Sequence, residues 1–222
     1  LPTDLELPQA KVLVSFGTPG VYNTVKKNFT SYALPQTVVD LTTATEVYLK
    51  ELLVMRRLIE HIAENASPIA GEKANEIRKK VYQKEARTSL RRLVELIIDS
   101  PSSELIKAIQ WIDSIYALRK CLVHRDGVVD EMDVNSFGKL RVVWRKIAMF
   151  ANDQEIVELP FRFETGGTLK VQISDEEREY SPGELIAISV DDCQNMAFSL
   201  CIFGNLIAVE AVTQIRIQLG LK

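Results

Sequence analysis

The sequence has few of the residues that build metal sites or disulfide frameworks. Its 222 residues include only two histidines and three cysteines, Cys121, Cys193 and Cys201. No two cysteines form a C-x-x-C pair, and the H-E-x-x-H pattern of zinc enzymes is absent. These absences argue against a structural zinc site and against disulfides, so we expect no metal, no other cofactor and a reducing, cytoplasmic compartment.

Phosphate-binding loops and long apolar runs are also missing. The sequence contains neither G-x-x-x-x-G-K-[ST] nor G-x-G-x-x-G, and it lacks the G-x-S-x-G elbow of serine hydrolases. No apolar run reaches about 18 residues without a charge, so no membrane span is predicted. The longest apolar stretch, Met196–Val209, predicts a buried helix. Because the net charge is −3, any affinity for nucleic acid must come from a local patch.

Apolar residues recur at helical spacing over most of the chain and predict a mainly α fold. Residues 1–34 are predicted to be irregular, apart from a short strand at Lys11–Phe16. Proline and glycine end the predicted helices. Four helices are expected before the β-rich region: from Pro35 to about Ser67, Ala70 to Asp99, Glu104 to Arg125, and Val134 to Phe150.

A β-rich region is expected at about residues 155–188. Glu155–Phe163 and Thr168–Ser174 flank two glycines and predict a hairpin, and Leu185–Ile188 predicts a third short strand. Ser189 and Asp192 then form a capping box that opens a last helix, ending near Gly220. The predicted architecture is a helical bundle over residues 35–222 with a small β-hairpin insertion before its last helix.

One pair of residues, Arg119 and His124 near the end of the third predicted helix, could carry chemistry. An imidazole can take a proton from a ribose 2′-hydroxyl or give one to a leaving oxygen. A guanidinium can hold a phosphate with two hydrogen bonds. Five residues along a helix separate the two side chains by about 140° and ~7.5 Å. Two copies facing each other would build a better phosphate site, which favours a homodimer.

The same spacing occurs a second time, in Arg56 and His61, and the context separates the two pairs. Arg56 and His61 lie mid-helix with no glycine stop, which predicts a structural role. For Arg119 and His124 the alternative is a basic cluster that favours the helix C-terminus.

Two further residues, Asp113 and Tyr116, lie one to two turns before Arg119. They are candidates to orient that arginine or line a pocket, with plain core or surface roles as the alternative. The basic stretch over residues 73–92 is either an RNA-backbone face or a solvated helix face.

The segment that ends the third predicted helix resembles a known motif. Arg119 is followed by a polar residue, by Val-His124, by a polar pair and Gly127, and by Val-x-Asp130. This order resembles HEPN domains, which are α-helical bundles with an Arg-x4-6-His motif. The resemblance implies a metal-independent endoribonuclease, commonly dimeric, with the motifs of both chains at the interface. Many members are toxins or anti-phage defence components restrained by an antitoxin, and others are inactive binding modules.

The leading hypothesis is therefore an HEPN-type endoribonuclease that acts on RNA and involves no membrane. The resemblance makes His124 the general acid and base and Arg119 the phosphate clamp. Lys120, at a position where the family often has Asn, and Arg125 would add positive charge for substrate binding. The alternative hypothesis is a non-catalytic helical module that binds a protein or a nucleotide.

Overall fold

The computed structural model describes residues 4–7, 12–15, 19–65, 67–151, 154–155 and 168–220. Helices dominate this part of the chain, and a long antiparallel hairpin precedes the last helix. The prediction of a mainly α protein with a small β-hairpin is confirmed. The elements are β1 (Asp4–Leu7), β2 (Val12–Ser15), α1 (Pro19–Asn65), α2 (Gly71–Lys84), α3 (Leu90–Ile97), α4 (Ser103–His124), β3 (Leu140–Ala151), β4 (Gln154–Glu155), β5 (Leu169–Tyr180) and α5 (Val190–Gln218).

The N-terminal region is more regular than predicted. β2 matches the strand expected at Lys11–Phe16, and it pairs with β1 in an antiparallel hairpin. Helix α1 begins at Pro19, and Pro35, where a helix start was expected, lies inside it. A proline most often marks a helix start because it lacks the N–H that an interior turn requires. Here the helix continues through it.

The single helix expected over residues 70–99 consists of two, α2 and α3. The chain turns between them, and Ser89 then begins α3 by accepting a hydrogen bond from the backbone N–H of Arg92 at 3.3 Å. Apolar spacing alone did not reveal this break, because neither glycine nor proline lies there. The break turns α3 back against α1 and α4.

The prediction of a fourth helix at Val134–Phe150 is wrong, because most of that segment is strand β3. β3 pairs with β5 from Leu140–Tyr180 at one end to Ala151–Leu169 at the other. The physical reason is an alternation in which Leu140, Val142 and Trp144 are buried and the residues between them are not.

The predicted hairpin was therefore misplaced, because the partner of β5 is β3. Most of the predicted strand Glu155–Phe163 lies outside the described residues; of it, β4 contains Glu155, which pairs with β3. Of the expected third strand, Leu185 forms a single bridge to Val128.

Helix α4 lies between two apolar clusters. The first is enclosed by α1, α2, α3, α4 and α5, and the second attaches the near half of the hairpin to α4 and α5. α4 supplies Ile112 to the first cluster and Ile115, Leu118 and Cys121 to the second. Burial on both sides makes α4 the central helix of the fold.

Helix α5 has the length and composition of a membrane-crossing helix, with a mean hydropathy of 1.8. A third of that apolar window is buried inside the fold. Its buried side chains include Met196, Leu200, Phe203 and Ile207, which pack in the two clusters. This packing is compatible with a soluble protein, and the capping box expected at Ser189 and Asp192 is present.

Side chains from two helices bond the edge of β3 that faces the bundle. Ser114 of α4 accepts a hydrogen bond from the backbone N–H of Val143 at 2.9 Å. Ser199 of α5 accepts one from the N–H of Arg145 at 2.7 Å. Alternate residues of a strand present their backbone groups to the same edge. The two serines therefore accept backbone hydrogen bonds of β3 that a neighbouring strand would otherwise accept.

We expect Ser199→Ala to destabilise the protein by about 1–3 kcal/mol, because it leaves the buried N–H of Arg145 without an acceptor. Chemical denaturation measures the free energy of unfolding. The control is Ser136→Ala, at an exposed loop position, which should change it by less than about 0.5 kcal/mol. Equal effects of the two changes would show that the serine contact does not support the strand.

Candidate functional site

The Arg119–His124 motif occupies the last two turns of α4. The helix begins after Ser102, whose side chain caps it by accepting the Leu105 N–H at 3.1 Å. Beyond His124 the chain reverses through Asp126 and Gly127, which have φ values of 50° and 78°. The expected glycine stop is thus present.

The segment after β5 holds this turn in place. The N–H of Ile186 donates to the Gly127 carbonyl at 2.8 Å, and the N–H of Val129 donates to the Glu184 carbonyl at 3.0 Å. The end of α4 is therefore tied to the chain that leads into α5.

Arg119 is half-buried, and no hydrogen bond or ion pair joins its side chain to another described residue. Its guanidinium carbon lies 5.8 Å from the centroid of the Tyr116 ring, a cation–π distance. Its Nε is buried and has no hydrogen-bond partner, and no carboxylate among the described residues lies within ion-pair distance of it. A buried donor without an acceptor is costly, and Trp144 Nε1 and Arg145 Nε share this state.

His124 is the last residue of α4 and is exposed. Within the described ranges, its ring makes no hydrogen bond and no ion pair. Lys120, one turn earlier, is exposed on the same side of the helix, and its charge acts on the nearby Asp113 carboxylate. Arg119 is rotated about 140° away from His124, so one chain does not bring the two principal motif residues together.

Tyr116 and Asp113 take different roles. The Tyr116 hydroxyl donates to the Thr42 carbonyl of α1 at 2.5 Å, and burial raises the pKa of this phenol. Tyr116 therefore joins α4 to α1 and supports Arg119 with its ring. Asp113 lies on the outer face of α4, where desolvation raises its pKa and the charges of Arg91 and Lys120 oppose that rise.

Arg125 holds the loop that follows α4. Its Nη1 donates to Asp133 Oδ1 at 2.6 Å, and the Asp133 side chain is only 7% exposed. Asp133 also accepts the Asp130 N–H at 3.0 Å. This ion pair fixes the turn behind His124, so Arg125 is less available to a substrate than Lys120.

The other Arg-x4-His pair is used for structure. Arg56 binds Glu60 of its own helix at 2.8 Å and joins α1 to the end of α3 through the Ile97 carbonyl at 2.6 Å and Asp99 at 2.9 Å. His61 Nδ1 lies 3.2 Å from the side-chain nitrogen of Asn65. The Arg56 guanidinium and Nδ1 of His61 therefore have local partners, whereas no such partner is found for Arg119 Nε or for the His124 ring among the described residues.

A cleft beside the motif was not anticipated. It has a volume of about 720 Å³ and lies between the first half of α1, the end of α4 and residues 185–188. Tyr32 and Gln36 line it from α1, Asp126 lines it from the turn, and apolar side chains complete its walls. The sequence hid it because residues before 35 were expected to be irregular and the three segments are far apart in the chain.

No family model matches the chain, and neither a curated protein nor a solved structure matches it. Among the described residues, no group of three or more His, Cys, Asp or Glu side chains is placed to hold a metal ion.

We expect the two arginines to differ in their effect on stability. Arg56→Ala should lower the free energy of unfolding by about 2 kcal/mol, because it removes ion pairs and leaves the Ile97 carbonyl without a donor. Arg119→Ala should cost less than about 1 kcal/mol, because that guanidinium has no polar partner to lose among the residues that the structure describes. Denaturant titration of both variants measures the difference, and a larger loss for Arg119→Ala would contradict the assignment.

We expect Cys121 to be unreactive in the folded protein. Burial, followed by the hydrogen bond and charge of Asp133, raises the pKa of its thiol to about 12, so almost no thiolate exists at pH 8. Iodoacetamide at that pH should modify the exposed Cys201 and reach Cys121 and Cys193 only after denaturation. Mass spectrometry of digested protein locates the label, and rapid native labelling of Cys121 would be the contrary result.

Proposed function

We propose that this protein is a metal-independent endoribonuclease in which His124 moves protons and Arg119 binds the scissile phosphate. The observation that carries the proposal is the contrast between the two Arg-x4-His pairs. Arg56 is bonded to neighbours on α1 and at the end of α3, and Nδ1 of His61 lies beside Asn65. Among the described residues, the buried Nε of Arg119 has no acceptor and the exposed His124 has no partner. A polar group left unsatisfied by its own fold is typical of a site that completes itself with a ligand.

The proposed chemistry is internal transfer at phosphorus. The ribose 2′-oxygen forms a bond to phosphorus while the bond from phosphorus to the 5′-oxygen breaks. A neutral His124 takes the 2′-hydroxyl proton, and a protonated imidazole gives a proton to the departing 5′-oxygen. The Arg119 guanidinium stabilises the charge that develops on the phosphoryl oxygens. The products are a 2′,3′-cyclic phosphate and a free 5′-hydroxyl.

A homodimer belongs to the same proposal. Arg119 and His124 point in different directions from one helix, so a second chain would have to bring the outer face of its own α4 to the site. That face carries the exposed residues Ile106, Asp113 and Lys120 at seven-residue spacing. Exposed apolar side chains on a central helix are typical of an association surface. Roles as a toxin or anti-phage component, and an antitoxin partner, stay expectations of the resemblance.

A non-catalytic binding module is the second candidate. The cleft of about 720 Å³ beside the motif favours it, because this volume lies within the range of small-molecule and nucleotide sites. In that case the cleft would bind its ligand while RNA stays intact.

We expect the purified protein to cut a mixed RNA pool in excess EDTA and to leave 2′,3′-cyclic phosphate ends. His124→Ala should abolish cleavage, because it removes the proton-transferring group, and Arg119→Ala should reduce it by at least about 100-fold. The matched control is His61→Ala, which removes the other histidine and should cut like the wild type. Product ends are identified by phosphatase treatment and mass spectrometry.

Two results would overturn the proposal. Equal cleavage by wild type and His124→Ala would point to a contaminant. Absence of cleavage at high protein concentration, with light scattering showing a monomer, would leave the binding module as the better account.

A further inference from the structure

Asp126 is an exposed carboxylate in a turn that does not require an acid. Its φ of 50° makes it the one non-glycine residue with positive φ among the described residues. Glycine and asparagine also suit this backbone conformation, so the turn does not require an acid. Asp126 follows the C-terminus of α4, where the helix dipole disfavours a negative charge.

No part of the described fold compensates that charge. Asp126 is exposed and makes no hydrogen bond or ion pair there, since the adjacent Arg125 is committed to Asp133. A residue in a sparsely populated conformation with an uncompensated group is a candidate for function.

The surroundings of Asp126 suit a flat heterocycle. It lines the cleft described above, together with Tyr32, whose side chain is 73% exposed at the α1 rim. Apolar side chains from α1, from the end of α4 and from residues 185–188 form the walls of the cleft, including Val39, Leu122 and Ile186. Unpaired bases are recognised in proteins by stacking on exposed aromatic rings, with polar groups that read the base edge.

We propose that this cleft binds an unpaired guanine base of the RNA, with Asp126 reading its Watson–Crick edge and Tyr32 stacking on its face. A carboxylate only accepts hydrogen bonds, and it offers two oxygens side by side. Guanine presents two adjacent donors, N1–H and the 2-amino group, and can therefore bond both oxygens. Adenine, cytosine and uracil each place an acceptor lone pair against one of those oxygens. The chemistry of the acid thus selects guanine.

The cleft lies next to the motif. Val123 and Asp126, both of which line it, flank His124 in sequence. A base bound there keeps its own phosphates within reach of the end of α4. As an assignment of substrate preference this inference rests on the proposed function, but binding of the base is measurable without cleavage.

The test is isothermal titration of the full chain with the 3′- and 5′-monophosphates of guanosine, inosine, adenosine, cytidine and uridine. We expect the better guanosine nucleotide to bind at least about tenfold more tightly than those of adenosine, cytidine and uridine. Inosine, which lacks the 2-amino group, should bind several-fold more weakly than guanosine. Asp126→Asn should reduce the guanosine preference to within about twofold, since the amide offers only one acceptor.

Matched variants separate base reading from general charge and from folding. Glu131→Gln removes a negative charge from an exposed loop position outside the cleft and should keep the guanosine preference. Tyr32→Leu should weaken binding of all the nucleotides, whereas Tyr32→Phe, which keeps the ring, should not. Each variant is first compared with the wild type by its denaturation midpoint.

The outcomes distinguish this inference from the proposed function. Equal affinities for all bases, or no binding of guanosine nucleotides at millimolar concentration, overturn the guanine site even if RNA is cut. Selective guanosine binding that Asp126→Asn abolishes, without cleavage of any RNA, supports the site and overturns the ribonuclease. Cleavage after or before guanine that Asp126→Asn makes indiscriminate supports both.

Discussion

The attachment of β3 to the bundle through Ser114 and Ser199 is the constraint on which the rest of the structure depends. Both serines are fixed by their helices, since Ser114 also donates to the Trp111 carbonyl and Ser199 to the Asn195 carbonyl. Together they align α4 and α5 with the same strand, and Trp144 of that strand lies fully buried beside α4. Helix α4, which carries the motif, is therefore held in place both by strand β3 and by the helices packed against it.

The side chains around Arg119 are fixed by contacts of their own. The Tyr116 hydroxyl donates to the backbone of α1, and Arg125 binds Asp133 in the turn after His124. Tyr116 and Arg125, which have hydrogen-bond partners, thus support the neighbouring Arg119 and His124. Sites of recognition and catalysis commonly combine a rigid frame with a few unsatisfied groups.

Sequence reasoning succeeded where local signals were strong and failed where long-range packing decided the structure. The capping box at Ser189 and the glycine at Gly127 are local signals. The first correctly predicted where α5 begins, and the second correctly predicted where α4 ends. The apolar residues of segment 134–150 are compatible with either a helix or a strand. Most of the segment is a strand because it pairs with β5. The sequence did not indicate Asp126 as a candidate site residue, because its positive φ and its position in the cleft depend on the three-dimensional structure.

The bridge between Val128 and Leu185 has a consequence for how the chain could vary. It brings together the points at which the polypeptide leaves the bundle after α4 and returns to it before α5. Between these points lies the hairpin of β3 and β5, whose near half packs on α4 and α5 and whose far half adds no described residue to either apolar cluster. A change in the length of the chain between β3 and β5 would therefore be accommodated like an insertion between adjacent termini, and the central helix would stay the same.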